Sequence, residues 1–151
     1  MSKPMNAIEQ RALNVFSKTF GSVHAWLYQK TDGRIGSSFV GGAPVMLLTT
    51  LGRKSGLART LPLLYLRDGE KLIAVASKAG SPSHPAWYLN LQADPEVQAQ
   101  IGEEKRRMHA ETASREQKAK YWPRLIAVYQ PYQVYQARTD RDIPVVILRP
   151  A

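Results

Sequence analysis

The chain contains no cysteine, which removes disulfides, thiolate metal sites, iron–sulfur clusters and a cysteine nucleophile from consideration. Histidine is scarce. His24, His84 and His109 are scattered, none is spaced with another ligand type, and a metal centre is not expected. No apolar stretch reaches the roughly 18 residues of a membrane-crossing helix. The first residues also lack the apolar core of a signal peptide, so a cytoplasmic address is the simplest expectation. Gly-x-Ser-x-Gly is missing, and no pair of carboxylates lies in apolar surroundings, which argues against serine hydrolysis and carboxylate acid–base work. Acids are few as well: 12 Asp+Glu against 21 Lys+Arg leave a formal net charge of +9. Such an excess implies an anionic partner, either nucleic acid, an anionic membrane face or a phosphorylated small molecule. No helix-turn-helix spacing and no RNP-like pattern accompanies it, so nucleic acid is not expected.

What is present fits one domain spanning residues 1–151: the hydrophobic share of 44% is enough for a core. The organising stretch is Gly52-Arg-Lys-Ser-Gly-Leu-Ala-Arg59, set between two apolar runs, 45–51 and 60–66, that read as strands. Glycines let backbone N–H groups approach a ligand, and Arg53, Lys54 and Arg59 supply charge-assisted donors, as a cradle for phosphate or carboxylate requires. A solvated hairpin turn uses the same residue types. The turn is not a Walker loop, because Arg53 directly precedes Lys54 where that motif needs glycine.

Residues 5–30 read as a basic amphipathic helix, with Leu13, Phe16, Phe20, Val23 and Leu27 stepping by three and four. That stripe packs on a core or lies on a membrane surface. A glycine-rich connection, 31–44, follows. Arg67-Asp-Gly-Glu70 is a hairpin turn leading to a buried strand over 71–77. Lys78 then stands on a glycine-containing loop before a short helix, 86–93, a second natural anion position. Strands are expected over 97–101 and 105–113, and a helix from Arg115 behind the capping box Ser114-Arg-Glu-Gln117, with Pro123 kinking or dividing it. Tyr129, Tyr132 and Tyr135 recur every three residues and line one side of a helical turn, as a hydroxyl-tipped aromatic surface or as packing. A strand over 143–148 closes the sheet. Anion cradles, buried strands and aromatic groups with few reactive side chains suit a protein whose cofactor carries the chemistry.

These segments resemble the deazaflavin (F420)-dependent nitroreductase family, in its quinone-reducing branch. The resemblance rests on Leu48-Thr-Thr-Leu-Gly-Arg-Lys-Ser-Gly-Leu-Ala-Arg59, Ala76-Ser-Lys78, Pro85-Ala-Trp-Tyr-Leu-Asn-Leu91 and Tyr121-Trp-Pro with the tyrosines after it. It implies an α+β fold: a split β-barrel of about six antiparallel strands over 45–148, preceded by the N-terminal helix of residues 1–30 and flanked by others. It assigns Gly52, Arg53, Lys54, Ser55, Gly56 and Arg59 to the phosphate and acidic tail of coenzyme F420. Pro62, Ala76, Ser77, Lys78, Ala79, Trp87, Tyr88, Leu89, Asn90 and Leu91 become further coenzyme contacts. Tyr65, Ser77, Tyr129, Tyr132 and Tyr135 would line the acceptor side of the ring.

The implied reaction is hydride transfer from the reduced coenzyme, F420H2, to a menaquinone-like quinone, with Tyr132 or Ser77 hydrogen-bonding the acceptor oxygen. Nitroaromatics or nitroimidazoles would be adventitious acceptors. A lipid quinone favours peripheral contact of residues 5–30 with the inner face of the cell membrane. The alternatives are an FMN- or haem-binding split barrel, or a non-catalytic carrier.

Overall fold

The computed structural model describes residues 4–10, 25–31 and 42–151. Seven antiparallel strands form one sheet: β1 (Val45–Leu51), β2 (Ala58–Leu64), β3 (Leu66–Asp68), β4 (Lys71–Val75), β5 (Glu96–Ile101), β6 (Glu104–Thr112) and β7 (Val145–Pro150). Their order across the sheet is β2-β1-β5-β6-β7-β4-β3. The sheet curls into the expected split half-barrel. The seventh strand arises because the expected strand over 60–66 is interrupted at Tyr65: residues up to Leu64 pair with β1, while Leu66–Asp68 pair with β4.

Strand periodicity explains how one sheet covers two cores. Successive side chains point to opposite faces, so in β4 Leu72 and Ala74 enter one cluster while Ile73 and Val75 enter another. In β7, Val146 and Leu148 join the first, Val145 and Ile147 the second. The first cluster is capped by α1 (Ala86–Ala93) through Trp87, Tyr88 and Leu91. The second is covered by α2 (Arg115–Val128) and α3 (Pro131–Arg138) through Tyr121, Leu125 and Tyr132. At the other end of the sheet Val45 and Leu47 meet Ala25 and Tyr28. A strand buried on both sides is therefore a continuous apolar run, as Leu72 to Val75 of β4 are.

The capping box at Ser114 and Gln117 starts α2 as expected. Pro123 does not divide the helix into two. Helix α2 continues through it for 14 residues, held by the burial of Tyr121 before the proline and Leu125 after it. Of the N-terminal helix, residues 7–10 and 25–30 are helical; Leu13, Phe16, Phe20 and Val23 lie outside the described residues, as does most of the glycine-rich connection. The end at 25–30 is tied to the sheet: the Tyr28 hydroxyl donates to the Gln100 carbonyl at 3.2 Å and accepts from the Gly102 N–H at 2.7 Å.

Candidate functional site: two cationic loops and a tyrosine wall

The β1–β2 connection is a closed turn. Gly52 N–H bonds the Leu57 carbonyl at 2.8 Å and Gly56 N–H bonds the Gly52 carbonyl at 2.7 Å. Gly56 stands at φ +70°, where a side chain would strain the backbone. The Ser55 hydroxyl turns inward and accepts from Leu57 N–H at 3.2 Å. Arg53, Lys54 and Arg59 are exposed. Asn90, buried on α1, anchors the turn. Its side-chain oxygen accepts from both the backbone N–H and the guanidinium of Arg53, each at 3.1 Å, while its amide donates to Thr50 at 3.3 Å. Asn90 thus acts through Arg53. Trp87, Tyr88 and Leu91, on the same helix, are buried in the core, which leaves Leu89 half-buried beside them.

Beyond β4 the backbone makes a left-handed turn. Lys78, Ala79 and Gly80 stand at φ of 44°, 53° and 77°. Two non-glycine residues in succession there store strain, on the order of 1–3 kcal/mol each. Gly80 has no alternative, since a Cβ would come within 2.7 Å of the Tyr135 carbonyl oxygen on α3. Arg141, in the segment after α3, holds the turn. Its Nε donates to Ser81 O at 2.7 Å, Nη2 to Ser77 O at 2.8 Å and Nη1 to Ala76 O at 3.3 Å. Nη1 also meets His84 Nδ1 at 3.1 Å; because a guanidinium only donates, that nitrogen accepts and the imidazole proton sits on Nε2. Arg138 adds a bond to Ala79 O at 3.1 Å. Burial, then the Arg141 charge, lowers the pKa of both Lys78 and His84.

The tyrosines form one wall. Tyr129 and Tyr132 meet edge to face with centroids 5.1 Å apart, Tyr132 and Tyr135 at 6.4 Å, and the Tyr129 and Tyr135 hydroxyls lie 3.2 Å apart. Trp122 of α2 borders Tyr132 at 6.5 Å. Burial, then the neighbouring Tyr129 and Tyr135, pushes the Tyr132 hydroxyl far above its ordinary range, so it stays protonated and able to donate. Tyr65 stands apart. It packs on the first core cluster and makes no ring contact with the other three among the described residues.

One feature singles out two of these residues. Among the buried hydroxyl-bearing side chains described, Thr50, Ser81, Tyr28, Tyr88 and Tyr121 all have hydrogen-bond partners. Ser77 and Tyr132 have none among the described residues, although only 9% and 5% of their surfaces are exposed. No buried side-chain oxygen or nitrogen among the described residues lacks a partner, so these two hydroxyls, on otherwise buried side chains, reach solvent and are open to a bound molecule. They stand on elements packed together, at the end of β4 and on α3. The sequence singled out both, along with the turn. It missed Arg141, Arg138 and His84, whose surroundings read as an ordinary polar loop.

The architecture is that of a split barrel. A solved putative pyridoxamine 5'-phosphate oxidase from Listeria innocua shares the fold at TM-score 0.50 with 16% identity, over 70% of this chain and 82% of that one. The model of the F420H(2)-dependent quinone reductase family matches residues 21–150, and the chain belongs to that family. It is therefore an oxidoreductase that depends on reduced coenzyme F420. A putative F420H(2)-dependent quinone reductase of Mycobacterium tuberculosis is 41% identical over 117 residues, 78% of this chain and 98% of that protein. The solved F420-H2 dependent reductase FDR-A is 40% identical, with TM-score 0.66 over 70% of this chain and 94% of its own.

Proposed function

We propose that the chain reduces a menaquinone-like quinone, with Tyr132 and Ser77 as the groups that meet the acceptor and the ring. The observation that carries this is the pair of unpartnered hydroxyls, Ser77 and Tyr132, on side chains that are otherwise buried. The coenzyme, when bound, supplies a hydride. Arg53, Lys54 and Arg59 hold its phosphate and acidic tail through charge-assisted bonds, with Gly52, Ser55 and Gly56 shaping the turn. Segment 76–79, with Pro62 and the 87–91 helix behind it, borders the ring.

Tyr132, kept neutral by burial, donates to the acceptor oxygen as negative charge develops there, and the apolar wall around it strengthens that bond by excluding water. Tyr129 and Tyr135, each occupied with the other, shape the wall. Nitroaromatics fit the same slot as adventitious acceptors, since their oxygens accept similarly.

Parallel fluorescence titrations with oxidised deazaflavin and with FMN test the cofactor, and selective FMN binding would end this reading. The Tyr132→Phe variant is expected to bind deazaflavin unchanged while turnover falls roughly 10²-fold, the scale of one well-placed donor. Unchanged turnover would remove Tyr132 from the reaction.

A lipid quinone has to be collected from a membrane. Among the described residues no helix is long and apolar enough to span one, so contact would be peripheral. Trp26 is 57% exposed, with Lys30 stacked 5.9 Å from its ring, an arrangement suited to an anionic lipid surface. Ala25 and Tyr28, on the same turn, are committed to the core. The test is cosedimentation with anionic vesicles, expected for the wild type and lost in Trp26→Glu; equal sedimentation of both would refute the contact.

A further inference from the structure

We propose that Arg141 is a positioning residue of the coenzyme site, acting through the backbone of residues 76–81. This rests on the reading that segment 76–79 borders the ring. The argument starts from where the loop's peptide groups are used. Ala76 O, Ser77 O and Ser81 O accept from Arg141, Ala79 O accepts from Arg138, and Lys78 O accepts from Ser81 N–H at 3.0 Å. Every carbonyl of the left-handed turn from 76 to 79 is thus occupied. The N–H groups are not: Ser77, Lys78 and Ala79 donate to nothing among the described residues, whereas Ala76 N–H bonds Pro144 O at 2.9 Å and Gly80 N–H bonds Ser77 O at 2.9 Å. The loop presents three consecutive amide donors and a serine hydroxyl, beside a half-buried lysine.

Such a row suits hydrogen-bond acceptors along the edge of a planar ring, most of all when that edge carries negative charge. Peptides do not hold it unaided, because Lys78 and Ala79 are strained and the strain persists only where surroundings over-determine it. Arg141 is that determinant. Its planar fork reaches three carbonyls and an imidazole at once, which a lysine's single ammonium cannot do in the same geometry. Among the described residues no carboxylate pairs with Arg141, so its charge remains to reinforce an anionic ring edge through the carbonyls it polarises. Because Gly80 lies against Tyr135, the same hold fixes the loop relative to the tyrosine wall.

The experiment is amide exchange by NMR on the full chain, with and without oxidised deazaflavin, for wild type and Arg141→Lys. In the wild type the Ser77, Lys78 and Ala79 amides exchange fast in the free protein and slow at least tenfold with coenzyme. In Arg141→Lys the free protein exchanges Gly80 and Ser81 at least tenfold faster, with β1 and β5 amides unchanged. The coenzyme then protects 77–79 little, its Kd rises tenfold or more, and kcat falls while the quinone KM holds. Should Arg141→Lys not fold, Arg138→Leu, which removes only the bond to Ala79 O, is expected to show the same pattern more weakly. Unchanged exchange at Gly80 and Ser81, or a variant Kd within twofold of wild type, overturns the proposal. A wild type that binds no deazaflavin sinks the proposed function and this inference together, whereas normal wild-type binding with an indifferent variant sinks this inference alone.

Discussion

The two cationic loops solve opposite problems with the same residue types. In the Gly52–Arg59 turn the cations are exposed and the backbone is relaxed, with one buried amide, Asn90, as anchor. In the 77–81 turn the cations are half-buried, the backbone is left-handed for three residues, and two arginines, one at the end of α3 and one just after it, hold it. The charges of the first lie where water screens them. The carbonyls, the glycine and the neighbouring helix of the second are tied together. On the proposed function, the first loop would supply affinity for a charged tail and the second would align the reactive ring. Helix α1 joins them, following the second in sequence and bracing the first through Asn90.

Breaking the first loop should have the larger effect on binding. Arg53→Ala combined with Arg59→Ala is expected to raise the coenzyme Kd on the order of tenfold per cation removed, to flatten its salt dependence, and to leave Tm unchanged. A drop in Tm of several degrees would show that the turn is structural, and the comparison would fail.

The second loop should instead respond to pH. His84 is neutral as Arg141's acceptor, and its pKa lies below the ordinary 6.5 because of burial first and the Arg141 charge second. Its contribution to stability is therefore fully present above about pH 6.5 and is lost as pH falls through the lowered value. His84→Gln keeps an acceptor for Arg141 but does not titrate. Its Tm should fall less than the wild type's between pH 7 and pH 5, by a degree or two on the scale of a chain this size. Identical slopes would mean that His84 does not feel Arg141.

Much of this contrast could be read in the residues, and the limits have physical causes. Local signals carried the relaxed loop: two glycines, three cations and flanking apolar runs lie within a dozen positions. Local signals also placed α1, the Ser114 cap and the tyrosine spacing of α3. The strained loop depends on Arg141, some 60 positions away, and nothing in Thr139-Asp-Arg-Asp142 distinguishes a buried guanidinium from a solvated one. The break at Tyr65 was hidden for the same reason, since the chain there changes partner strand, from β1 before it to β4 after it. Pro123 was misleading because tertiary packing outweighed its helix-breaking tendency.

The position of β7 has a consequence for how the protein comes into being. The last strand in sequence lies between β6 and β4 in the sheet, so until it is synthesised β3 and β4 can pair only with each other. During translation the β1-β2-β5-β6 ribbon can assemble first, while the β3–β4 hairpin waits with apolar strands uncovered. Residues 145–150 then enter as a wedge that joins the halves. Non-local closure of this kind is slow and exposes sticky intermediates. The sheet is complete only once residues 145–150 have taken their place between β6 and β4.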